Sequence, residues 1–230
     1  SIVAIFILIN SNRRYNKKAK EEKKDDKIFS EIVTTDDKER AWALLKGHVE
    51  GNIFTELEFV EGAYTDFLEG FINEDRRTLT KLYRTIRNEK EFFKTKRRKE
   101  ITGLKKVDTV VAVQAGTWFH IATNNTSQLI YSLRRVLEPC KDHIDNNFNP
   151  LPQDCIEEIR PLAAKLTDLI EKEMNLVKTS VDLSAHLKEI SAYKKEVSAA
   201  MERHINRMRS EQDSSNLNIY IIYQSILQET

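Results

Sequence analysis

Glu138 and Asp142 are the residues of this 230-residue chain whose type and spacing come closest to a site. Four apart on a helix, two carboxylates stand one above the other on a single face. In a bare helix such a pair is destabilising by about 0.2–0.5 kcal/mol. A bound cation reverses the sign, because hard divalent ions take carboxylate oxygens as ligands. The same spacing also describes an ordinary solvated face. Arg134, Arg135 and Lys141 lie close enough in sequence to neutralise Glu138 without any metal. Spacing alone leaves both readings open.

The pair belongs to residues 129–148, LIYSLRRVLEPCKDHIDNNF. Leu129, Leu133, Val136, Leu137, Cys140, Ile144 and Phe148 recur at steps of three and four, the apolar stripe of an amphipathic helix. Tyr131, Arg135, Glu138, Asp142 and Asp145 fall on the opposite face. Pro139 lies inside the stretch, where it removes one donor and clashes with the carbonyl of Arg135. A kink beside Glu138 is therefore expected, with a freed backbone oxygen open to water or to a cation.

Elsewhere the chain is poor in chemistry. His48, His120, His143, His186 and His204 are scattered and read as hydrogen-bonded or surface residues. There is no HExxH, no nucleophile beside a base and no phosphate-cradling Gly-rich loop. A non-catalytic protein is the expectation. Net charge is +1, which nominates no nucleic acid. Cys140 and Cys155 flank a loop without zinc-ligand spacing; either they meet across a helical hairpin or they stay buried and reduced.

Six glycines and four prolines leave little material for turns, and 32% of the residues are charged. With helical periodicity throughout, an all-α protein is expected. Residues 1–9 begin with the apolar run IVAIFILI, followed by Arg13, Arg14, Lys17, Lys18 and Lys20. Apolar before basic is the pattern of the cytoplasmic end of a transmembrane helix; a packed element end fits as well. Residues 10–36 read as a charged juxtamembrane linker or solvated helix. Asp36 or Asp37 then caps a helix carrying Trp42, Leu45, Val49, Ile53 and Leu57, either continuous or broken near Gly51. Its polar side is acidic. Asp75 caps a basic helix with Arg76, Arg77, Lys81, Arg84 and a run from Lys94 to Lys99, so the two helices are expected to pair flank to flank. The run also suits anionic headgroups, though a solvated face is the default. Asn124 and Asn125, in TNNTS, mark a bend or an interhelical bond. NNFNPLP breaks the chain, and Asp154 with Glu157 matches a capping box. Two amphipathic helices follow, and a last one from Leu217 is expected to be buried on most sides. Residues 37–149 and 150–230 thus look like two three-helix halves, about six long antiparallel helices in all.

At LEPCKDH, from Leu137 to His143, the chain resembles the LERIGDH-type signature of PhoU-like proteins. WALLKGHVEGNIFTELEF and FLEGFINED, with LEPCKDHIDNNF, resemble the cytoplasmic C-terminal region of bacterial PiT-type inorganic phosphate transporters. The resemblance implies a PhoU-like bundle on the cytoplasmic side of the inner (cell) membrane. It implies a regulator attached to the transmembrane transporter domain of the same chain, in contact with the membrane surface and able to form a homodimer. It also implies a divalent or trivalent metal ion at Glu138 and Asp142, with His143 as the neighbouring position. Pro139 and Cys140 depart from the family pattern. Gln228 stands where the second half would carry its glutamate, which puts a second metal site in doubt.

Overall fold

Helices start and stop in this chain where short polar side chains and left-handed residues tell them to. The computed structural model describes residues 20, 22–178, 183–211 and 214–230, so the apolar run at 1–9 lies outside the described residues. Among these the fold is all-α. Seven helices are present: α1 (22–34), α2 (Lys38–Ile72), α3 (Arg76–Leu104), α4 (Thr109–Asp145), α5 (Gln153–Lys178), α6 (Leu183–Ser210) and α7 (Leu217–Glu229).

Asp37 caps α2 by accepting from the amides of Glu39 and Arg40, both at 3.0 Å. Asp75 caps α3 through the amide of Thr78 at 3.0 Å, and Asp108 caps α4 through that of Val110 at 2.9 Å. At the other ends, α2 and α4 close in the same way. Glu74 (φ 53°) and Asn147 (φ 54°) take the left-handed conformation. The amide of Asp75 donates to the Gly70 carbonyl and that of Glu74 to Phe71, while Phe148 donates to His143 and Asn147 to Ile144. Both are Schellman closures, and Asp75 ends one helix while opening the next.

α2 is unbroken through Gly51, the continuous one of the two readings, and α4 is helical past Pro139 and through Asn124 and Asn125. α5 likewise contains Pro161. The capping box at Asp154 does not form, because α5 begins at Gln153 and Asp154 lies inside its first turn. The amides of Cys155 and Ile156 both reach the Pro152 carbonyl, and Asp154 instead ion-pairs with Arg207 at 2.8 Å. α7 buries Ile219, Tyr220, Tyr223, Ile226 and Leu227 but leaves Leu217 and Ile221 exposed, so it covers one face only.

The chain divides into two compact units, and the division does not follow the Asn-Pro loop. The first takes the residues up to Val49 with Thr95–His120; the second takes Glu50–Lys94 and Ile121–Thr230. α2, α3 and α4 are long enough to supply both. In the first unit, residues 22–34 of the charge-dense segment expected to be a linker or solvated helix form helix α1, which buries Ile32; Leu45, Val49 and Phe119 are buried in the same unit. Gly103 lets the helices meet closely there: a Cβ would stand 3.1 Å from the Leu45 side chain and 3.4 Å from that of Phe29.

In the second unit, two ladders of side chains fix helix direction. Arg76–Asp145, Tyr83–Glu138 and Lys90–Tyr131 join α3 to α4. Each rung moves seven residues forward on α3 and seven back on α4, which only antiparallel helices allow. Asp154–Arg207, Glu158–Arg203, Lys165–Glu196 and Lys172–Glu189 do the same for α5 and α6. Exposed rungs add little stability individually, so their effect is on register. Glu69 of α2 pairs with Arg160 of α5, not with the basic helix α3 that follows it.

Candidate functional site

α4 delivers the acidic pair because its apolar stripe is anchored. Leu133, Val136, Leu137, Cys140 and Ile144 are buried in the second unit, which turns Glu138 and Asp142 outward. Both carboxylates are exposed. Glu138 is the middle rung of the α3–α4 ladder: the Tyr83 hydroxyl donates to it at 3.4 Å, and Arg134 lies 3.8 Å away. The other two cations near it in sequence go elsewhere. Arg135 donates to Glu229 at 2.7 Å, and Lys141 to Asp145 at 2.5 Å. Asp142 makes no ion pair with any described residue. His143 turns inward. Its Nε2 is 2.8 Å from the Asn149 carbonyl, between the rings of Phe71 and Phe148. It therefore helps close α4 and does not join the carboxylates.

Two carboxylates on adjacent turns offer a cation two ligands from protein; a metal held there keeps most of its shell as water. Among the described residues no group of three or more His, Cys, Asp or Glu side chains is placed to hold a metal ion.

The most charged interior lies in the first unit, at residues the sequence reading passed over. Glu100 is 2% exposed, and Lys96 and His48 are each 8% exposed. Glu100 Oε1 is 3.0 Å from His48 Nδ1, and Asp25 Oδ1 is 3.1 Å from His48 Nε2. Lys96 Nζ is 3.6 Å from the second Asp25 oxygen. The cluster ties α1 to α2 and α3 in the interior of that unit. Lys96 belongs to the basic run for which a solvated face was the default expectation. The overlooked signal was His48, three residues from Leu45 on the buried side of α2.

His204, read from sequence as a hydrogen-bonded or surface histidine, is fully buried in the second unit. Its Nε2 is 2.8 Å from the Tyr220 carbonyl, and Arg207 stands 3.3 Å from Nδ1. Burial pushes its pKa below the ordinary value, Arg207 pushes the same way, and the bond to Tyr220 opposes. The folded state thus binds its proton less readily than the unfolded chain. As pH falls through the unfolded value of about 6.5, the unfolded chain takes up the proton first, so stability drops. Melting temperature should decline from pH 7.5 to 5.5, and His204→Phe should flatten that part of the curve. A decline of equal size in the variant would assign it to other groups.

Burial also raises both thiols, Cys155 to about 12 with Arg207 opposing, and Cys140 further still. Both cysteines are free and buried, so the pairing across a hairpin does not form. A thiolate is the reactive form, which leaves neither poised as a nucleophile.

Fold and site together define an all-α protein of two helical units with an outward carboxylate pair on its longest helix. No protein-family model, curated protein or solved structure matches the chain.

Proposed function

We propose that this chain is a PhoU-like, non-catalytic regulatory domain of a PiT-type inorganic phosphate transporter. It works on the cytoplasmic side of the inner membrane. The observation that carries the reading is the LEPCKDH segment in place: Glu138 and Asp142 are exposed on successive turns of α4, and Asp142 has no ion-pair partner among the described residues. A divalent or trivalent ion there would change the charge of the α4 face. That gives the domain a term by which one transporter state is favoured over another, and only a differential contact of this kind shifts such an equilibrium.

A basic stripe suits the membrane-side part of the reading. Arg77, Lys81 and Arg84 recur on one side of α3, around an open groove of about 630 Å³ that Arg76, Thr80 and Asn88 also line. Near an anionic surface each such cation contributes about 1 kcal/mol. No helix among the described residues is long and apolar enough to cross a membrane. Attachment to a transporter domain would therefore depend on chain outside them.

Thermal melting with Mg, Mn, Fe and Zn tests the metal part. A ligand at one hundred times its dissociation constant stabilises the native state by about 2.7 kcal/mol. At least one of these ions should raise the melting temperature, and Glu138→Gln with Asp142→Asn should abolish the rise. No shift with any ion removes the metal from the proposal. A second reading then gains: a structural or oligomerising bundle, favoured by the pairing of Glu138 with Tyr83 and Arg134.

A further inference from the structure

We infer that the second unit binds a small amphiphile, an apolar chain of about ten carbons ending in a carboxylate, in a cavity among its helices. Val60 of α2, Val136 of α4, Leu169 of α5, Ile190 of α6 and Ile226 of α7 line a space of about 260 Å³, all within that unit. Protein interiors hold few voids larger than a water molecule, so a space of this size is unusual. The polar groups of its walls are already engaged. The Tyr64 hydroxyl donates to Thr230 Oγ1 at 2.8 Å, and Thr230 donates in turn to the Ile226 carbonyl. Tyr193 donates to the Leu162 carbonyl at 3.0 Å. A guest held there meets apolar surface, so its body is hydrocarbon. Leu129 and Lys194, which also line the cavity, are exposed and mark where it reaches solvent.

Volume sets the size of the guest, and charge at the rim sets its head group. An apolar cavity of roughly 150 Å³ holds benzene, so this one suits about ten carbons. Three ionisable side chains other than tyrosine line it: Glu173, Lys194 and Glu229. Arg135 holds Glu229 through two bonds, at 2.7 and 2.8 Å. Glu173 stands 3.8 Å from Nε2 of His186, a buried ring whose nitrogens have no hydrogen-bond partner among the described residues. A proton on His186 therefore answers that acid. Lys194 remains, with no ion pair to any described residue. A chain lying in the cavity brings its end group to the mouth, where a carboxylate meets this ammonium. Because Lys194 is exposed, the head selects among guests while the buried chain supplies most of the affinity. A phospholipid is a poor occupant, since two long chains exceed the space. The cavity shares no lining residue with the carboxylate pair of α4.

Titration calorimetry of the 230-residue chain with decanoate, decan-1-ol and decylamine, each below micelle formation, tests this. One decanoate should bind per chain with a negative heat-capacity change, the mark of buried apolar surface. Decanoate should bind about 3-fold tighter than decan-1-ol, the scale of an exposed ion pair, and decylamine should bind weakest. Lys194→Glu, at an exposed position, should reverse the order of decanoate and decylamine. Ile190→Phe fills part of the space from a half-buried position and should weaken decanoate at least about 10-fold, with helical dichroism retained. No decanoate binding at about 1 mM would overturn the proposal. So would equal binding of decanoate and decylamine by the wild type, or decanoate binding that neither substitution changes.

Discussion

Glu100→Ala should destabilise the protein by about 3–5 kcal/mol, the range for removing one partner from a buried ion pair. Glu100 is 2% exposed and faces His48 in an interior that also holds Lys96 and Asp25. Its loss leaves the His48 ring without its carboxylate on Nδ1 and shifts the cluster toward net positive charge. Wild-type stability does not follow from this cost. Desolvating four ionisable groups is expensive, and an apolar replacement of the whole cluster is often neutral or stabilising. The sharper expectation is therefore a contrast. Glu100→Ala should cost several times more than Glu58→Ala, an exposed acid of α2. Trp42 and Trp118, with ring centroids 6.5 Å apart, both lie in the first unit, so their fluorescence reports the loss locally. A difference under about 1 kcal/mol between the two variants would show that the cluster is solvated.

Phe67→Ala should cost a similar amount, about 3–5 kcal/mol, by a different route. Phe67 is fully buried in the second unit, with Tyr64 and Phe71 ring centroids 6.2 and 6.4 Å away. Truncation removes its burial free energy and leaves a cavity between rigid aromatic neighbours, which collapse poorly. Phe67→Leu should recover more than half of the loss. Circular dichroism follows helix in both units, whereas tryptophan emission follows only the first. Coincident transitions in Phe67→Ala would mean that the chain unfolds as one cooperative system; a dichroism transition preceding the fluorescence one would mean that the units unfold separately. Equal stability of Phe67→Ala and wild type would contradict the packing described.

The helical class was legible because the stripe at residues 129–148 is regular, and five of its seven apolar positions are buried as read. Leu129 and Phe148, at its ends, are exposed. Asp37 and Asp75 were legible as caps because an acid directly before a helical pattern has few other uses. Asp154 misled because Pro152 supplied the first carbonyl and moved the start back two residues. The charge-dense segment before Asp37 looked unable to pack, yet one buried isoleucine and paired acids set it against α2 and α3. No local signal marks Lys96 as buried, because its partner Asp25 stands 71 residues away in sequence. The same holds at the candidate site. Glu138 and Asp142 were visible as a pair, whereas the Tyr83 rung that occupies one of them depends on a register between two helices.

Phosphate uptake, measured in cells with residues 37–230 present and with them deleted, tests the central claim most directly. A regulatory domain predicts that deletion changes the rate or the apparent affinity of uptake, and that Asp142→Asn moves uptake in the same direction. Identical uptake in rate and affinity, with and without the helical units, would contradict it.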